Sequence, residues 1–209
     1  MFNDDYGLTQ AVLDGRKTMT RRIIEIDECV RFPIIRFRPL EKWEKKVVNP
    51  NYVFNGHVYA VYNELNLLYH LVKPRYKIGE VVAIAQSYKD AGYDTHDTFG
   101  ECRSIGSYPG WKNKRFVKAE YMPRHISITN IKIERLQDIS DEDCLKEGIY
   151  EDSGDDEFPP SIFYEFEGNK DNGFDTPREA FAALIDKISG RGTWNNNLYT
   201  FAYEFELID

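Results

Sequence analysis

The chain has 209 residues, 42% of them hydrophobic and 30% charged, with a formal net charge of −8. This composition excludes intrinsic disorder, and at this length a core forms without disulfide or metal staples. The apolar runs are too short for a membrane span, and Met1 to Asp5 lacks the basic and hydrophobic regions of a secretory signal.

Three cysteines (Cys29, Cys102, Cys144) without a C-x-x-C pair point to a reducing cytoplasm rather than a zinc module. No two of the four histidines share a helical face, so the pattern calls for neither metal nor cofactor. Charge is unevenly spread. Arg16 to Lys46 holds ten basic residues against five acidic ones, whereas Asp138 to Glu157 holds ten acidic residues and one lysine. The basic stretch either offers a surface to a phosphate-bearing ligand or is simply a solvated face.

In chain order, a short helix is expected over Leu8–Asp14, closed by Gly15 in a left-handed turn. Lys17 to Ile24 follows as a strand, with Thr18, Thr20 and Arg22 on one face and Lys17, Met19 and Arg21 on the other. Residues 27–73 read as an inserted hairpin or two. Tyr76–Glu80 is a turn into Val81–Ala85, a continuous apolar run expected to be a buried strand. Asp90–Trp111 is a Gly- and Asp-rich loop, and Arg115–Tyr121 reads as a strand. In His125–Leu136 the apolar positions shift phase between Ile128 and Ile131, which requires a bulge. Ser140 to Asp143 opens a helix with a capping box, and Gly148 ends it. Glu151–Asp175 is acidic, carries two prolines and reads as a mobile excursion. Thr176-Pro177 caps a helix whose apolar Phe181, Leu184, Ile185 and Ile188 share a face, closed by Gly190. The last strand alternates, with Tyr199, Phe201, Tyr203, Phe205 and Leu207 facing one way. This order predicts a single α+β domain around a curved or closed mixed sheet.

Three segments are candidates for chemistry. Gly15 to Arg22 gathers one lysine, two threonine hydroxyls and three arginines. A desolvated Lys17 among guanidiniums would have a lowered pKa and could take a proton from a hydroxyl; an edge strand kept polar against aggregation has the same composition. Glu147 stands at the negative end of its helix, against the macrodipole rule. Trp194, followed by Asn195, Asn196 and Asn197, either stacks on a base or caps the core. Arg124, in Met122-Pro123-Arg124, sets a turn beside the Gly15 loop.

Leu13 to Arg22, Tyr76 to Val81, Met122 to Arg124, Arg135 to Ile149 and the closing helix–Trp194–strand unit together resemble phage-type ASCH domains of the PUA-like superfamily. Insertions at about 27–72, 88–113 and 150–175 lie outside the likeness. The resemblance implies a PUA-like mixed β-barrel flanked by helices, with a cleft for a nucleoside, nucleotide or RNA. Gly15, Lys17 and Arg22 match the Gly-x-Lys-x-x-Glu-x-Arg motif, with Thr20 in the Glu slot. That variant is similar to bacterial N4-acetylcytidine amidohydrolases, which implies Lys17, Thr20 and Glu147 as catalytic residues and Arg22 as an anion binder. Ala83 to Gln86 and Asn195 to Asn197 depart from the usual Trp-Val-Arg-Glu and Asn-Pro-Trp. The alternative is a binding module without chemistry, holding its ligand through Arg21, Arg22, Trp194 and the Asn run. A third class is a phage accessory or counter-defence factor that contacts a host protein through the acidic 138–157 stretch.

Overall fold

The computed structural model describes residues 2–25, 34–40, 58–63, 68–99, 104–153, 162–169 and 173–209. Among the described residues the α-helices are α1 (Leu8–Leu13), α2 (Asp141–Lys146), α3 (Pro177–Ser189) and α4 (Thr193–Asn196). The strands among the described residues are β1 (Met19–Ile23), β2 (Ile34–Pro39), β3 (Tyr59–Asn63), β4 (Leu68–Val72), β5 (Val81–Ala83), β6 (His125–Arg135), β7 (Tyr150–Ser153), β8 (Ile162–Glu165) and β9 (Tyr199–Leu207).

The central sheet has the order β1-β9-β6-β5 and curls into half a barrel within an α+β chain. Every pairing in it is antiparallel. β9 is central because its alternation supplies Phe201, Tyr203 and Phe205 to the concave face. There they meet Val12 of α1, Ile84, and Ile126, Ile128 and Ile131 of β6. The phase change in β6 is a bulge: Ile128 pairs with Phe205, but Asn130 pairs with Glu204, so Thr129 is the extra residue. After it, Ile131 and Ile133 pair with Tyr203 and Phe201 and return to the concave side.

A second sheet, β2-β3-β4, occupies the expected inserted hairpins, and Val61 and Val72 join the same core. The rest of 27–73 lies outside the described residues. On the far side of the central sheet, α2 and α3 bury Leu136, Ile139, Cys144, Phe181, Leu184 and Ile185 together. Both helices start as their caps dictate. Ser140 accepts from the Asp143 amide, and Thr176 accepts from the Glu179 amide with Pro177 next to it.

Three expectations need correction. Arg115–Tyr121 is not a strand but two 3-10 turns, Lys114–Phe116 and Ala119–Tyr121. The Asn113 side chain accepts from the Arg115 amide and the Tyr88 hydroxyl from the Lys118 amide, so side chains satisfy backbone groups that a ladder would need. Val81–Ala85 is not a buried strand: β5 spans three residues at the sheet edge, Val81 is 55% exposed, and of the five only Ile84 is buried. Glu151–Asp175, expected as a mobile excursion, carries most of the β7–β8 pairing among its described residues, and Phe166, just after β8, is buried against α3. Apolar Ile149, Phe166 and Phe174 anchor what the acidic composition concealed. Among the described residues no helix is long and apolar enough to cross a membrane.

Candidate active site

The site forms where the Gly15 turn, the edge strand β1 and the end of α2 meet. Gly15 takes φ +72°, a conformation that costs glycine little, and reverses the chain after α1. The Lys17 amide then bonds the Ala11 carbonyl at 2.8 Å, and the Thr18 amide bonds the Lys146 carbonyl at 3.0 Å. The backbone of Lys17 is therefore fixed between the C-terminal ends of two helices.

Its side chain is 2% exposed. Lys17 Nζ donates to the Glu147 carbonyl at 2.7 Å and to Glu147 Oε2 at 2.6 Å. The ammonium thus caps α2 and pairs with the carboxylate at its end, so the charge that offends the helix dipole is compensated twice. Gly148, at φ +103°, turns the chain away; a Cβ there would stand 3.3 Å from Leu8 Cδ2 and 3.7 Å from Lys17 Cδ. Burial pushes the Lys17 ammonium below its usual value of 10.5, against the pull of Glu147 and with help from Arg22 and Arg21. The lowered lysine expected from the sequence is present.

Arg21 carries the second half of the assembly. Its Nε and Nη2 donate to Glu134 Oε1, its Nη2 to Asp143 Oδ2 at 3.1 Å, and its Nη1 to Glu147 Oε1 at 3.0 Å and Met19 Sδ at 3.1 Å. All five N–H groups have partners, which leaves none for a ligand. Arg21 is therefore a holder of Glu147 and not the ligand contact that the sequence suggested. Lys132 closes the network, donating to Asp143 Oδ2 at 2.6 Å and lying 3.2 Å from Glu134 Oε2. Three cations (Lys17, Arg21, Lys132) thus balance three carboxylates (Glu134, Asp143, Glu147). Burial alone would raise the Asp143 pKa, but Lys132 and Arg21 outweigh it and hold the carboxyl below its ordinary 3.8. Ala202 makes the convergence possible. It is the β9 partner of both Arg21 and Lys132, and its fully buried methyl leaves room for two long side chains above it.

Thr20 and Arg22 project from the other face of β1, opposite Tyr203 and Phe201. Because β1 is an edge strand, both faces reach one hollow of about 70 Å³, bordered by Lys17, Thr20, Arg22 and Glu147 and walled by Phe181, Leu184 and Ile185. Among the described residues the Thr20 hydroxyl has no hydrogen-bond partner, although Thr20 is buried. A second hollow of about 90 Å³ on the barrel side shares Thr20 and Arg22.

Lys17, Thr20, Arg21, Arg22 and Glu147 are thus brought together, and the other four candidates are not. Gly15 is exposed and serves the turn. Arg124 lies in a separate groove with Gln10, Asp14 and Gln86. Trp194 packs edge-on against Phe181, with ring centroids 6.2 Å apart, and Arg178 covers its face at 5.3 Å, so it caps the core. Asn195 is exposed on α4. Of the acidic stretch 138–157, Asp143 and Glu147 face inward. Sequence reasoning missed Glu134, Asp143 and Lys132 as partners, and missed Phe2, which borders the hollow. Lys132 and Glu134 alternate on β6 as Arg21 and Met19 do on β1, but only the pairing through β9 reveals that these rows share a face. Among the described residues there is no cluster of three or more His, Cys, Asp or Glu side chains able to hold a metal. No family model, no curated protein and no solved structure matches the chain.

Proposed function

We propose that the chain is an amidohydrolase that removes the acyl group from an acylated nucleobase amine, with N4-acetylcytidine as the type substrate. The observation that carries this reading is the buried Lys17–Glu147 contact of 2.6 Å, bordering the same hollow as the unpartnered Thr20 hydroxyl. In this reading Thr20 Oγ1 forms a bond to the acyl carbonyl carbon as its proton passes to neutral Lys17 Nζ. Arg22 stabilises the carbonyl oxygen as it gains negative charge. Collapse breaks the C–N bond, and the proton taken up by Lys17 passes by way of the Glu147 carboxylate to the leaving amine. Water then attacks the Thr20 ester, the carboxylic acid departs, and Thr20 regains its proton. Burial, which pushes the Lys17 ammonium below its usual value, favours the neutral amine that the first step needs. Arg21 keeps Glu147 in line throughout.

The experiment is a panel of acylated nucleosides and nucleotides, with release of free acetate measured. Turnover by the native protein, lost in Thr20→Val and in Lys17→Ala, is the expected result. Absence of turnover, or equal rates in the variants, overturns the reading. A second reading is favoured by the complete charge balance around Arg21: the network is a lock for the fold, and the hollow binds a base or nucleotide without chemistry. It predicts binding that Thr20→Val leaves unchanged and that weakens with salt through Arg22.

A further inference from the structure

Phe2 borders three separate spaces: the Lys17–Glu147 hollow, the barrel-side hollow behind Thr20, and an open groove that runs toward Lys112 and Arg115. Among the residues that line these spaces, Phe2 alone belongs to all three. Its ring packs on Phe205, with centroids 5.7 Å apart, and stands 6.0 Å from Lys17 Nζ. The backbone of the same segment is held from outside. Lys114 Nζ donates to the Phe2 carbonyl at 2.6 Å, to Asp4 Oδ1 at 2.5 Å and to Thr9 Oγ1 at 3.0 Å.

Hollows of about 70 and 90 Å³ have room for only about two or three water molecules each. Sites that enclose an organic ligand run to roughly 300–1,000 Å³. The two hollows meet at Thr20, Arg22 and the Phe2 ring, with β5 forming the far wall through Val82 and Ala83. The partition between them is made by Thr20, Arg22 and Phe2, of which Phe2 alone stands outside a strand, and its segment is tethered by one ammonium on the loop between β5 and β6.

We propose that Phe2 is a gate, seated here in its closed position. When the ring swings out, the three spaces join into a single cleft. The cleft leads from the groove beside Lys112 and Arg115, past Thr20 and Arg22, to Lys17. It admits a flat heterocycle with a phosphate-bearing tail, a ligand class that rests on the hydrolase reading, whereas the gate itself does not.

The test reads access to Lys17 in the free protein. Lysines are acetylated with a small water-soluble anhydride at mildly alkaline pH, and the rate at each site is followed by peptide mass spectrometry. A closed state that dominates in the native protein predicts labelling of Lys17 about tenfold faster in Phe2→Ala and about threefold faster in Lys114→Met. Phe2→Trp, which refills the partition, is expected to stay at the native rate, and exposed Lys89 is expected to be unchanged in all variants. Equal Lys17 rates in native protein and Phe2→Ala overturn the gate. So does a parallel rise at Lys132, which marks general loosening rather than opening at Phe2. A protein that hydrolyses N4-acetylcytidine while Lys17 labelling ignores Phe2→Ala keeps the hydrolase and loses the gate. Faster labelling without turnover does the reverse.

Discussion

The two faces of β1 are built from nearly the same residue types and do opposite things. One face carries Met19 and Arg21, and there every guanidinium hydrogen is spent on sulfur or carboxylate. The other carries Thr20 and Arg22 against the aromatic concave surface, and there the Thr20 hydroxyl, without a partner among the described residues, borders the hollow. Arg21 and Thr20 thus differ in role because one meets three acids and the other borders a hollow. Charge satisfied by protein locks a fold. Polar groups left facing a hollow are what a ligand can use.

The largest effect should come from breaking the locked face. Glu147→Ala leaves Lys17 and Arg21 without a shared partner in a buried site, and urea denaturation is expected to show a loss of about 3–5 kcal/mol. If the loss stays below about 1 kcal/mol, the contrast between the faces is void. The open face should respond in the other way. Thr20→Val keeps the shape, so stability is expected to hold within about 1.5 kcal/mol, while deacylation falls on the order of 100-fold or more. Ala202→Leu tests the room above β9. The added side chain forces Arg21 and Lys132 apart, with an expected cost of about 1–3 kcal/mol and a smaller loss of turnover.

The pH dependence sharpens the comparison further. Asp143 is held below 3.8 in the folded chain, so its contribution is complete above that value and is lost as pH falls through the depressed one. Asp143→Asn should flatten this acid limb in a series of urea midpoints. Lys17 is lowered from 10.5, so the folded chain binds fewer protons than the unfolded chain between the two values. Stability should therefore rise with pH across that window, and Lys17→Met should remove the rise.

What the sequence disclosed was local. The caps at Ser140 and Thr176 could be read because donor and acceptor lie three residues apart. Glu147 announced itself by standing at the wrong helix end, and the alternation of β1 separated Thr20 from Arg21 correctly. The partners of Arg21 stayed hidden because Glu134 and Asp143 are 113 and 122 positions away, the first brought close by the register through β9 and the second by the docking of α2 on β1. Arg115 to Tyr121 misled because Phe116 and Val117 have strand-like chemistry, while the turns are set by Asn113 and Tyr88. Trp194 beside three asparagines fits a base platform and a core lid equally until Phe181 and Arg178 are placed around it.

The supernumerary Thr129 has a reach beyond its own strand. Were the bulge smoothed out with Thr129 drawn into the ladder, the distal half of β6 would slip by one residue against β9 and present its other face. Ile131 and Ile133 would then point toward the acids, and Lys132 and Glu134 into the oily interior. The looping-out of one residue therefore decides whether the guanidinium of Arg21 finds the Glu134 anion, and with it how firmly the carboxylate at the end of α2 is aimed.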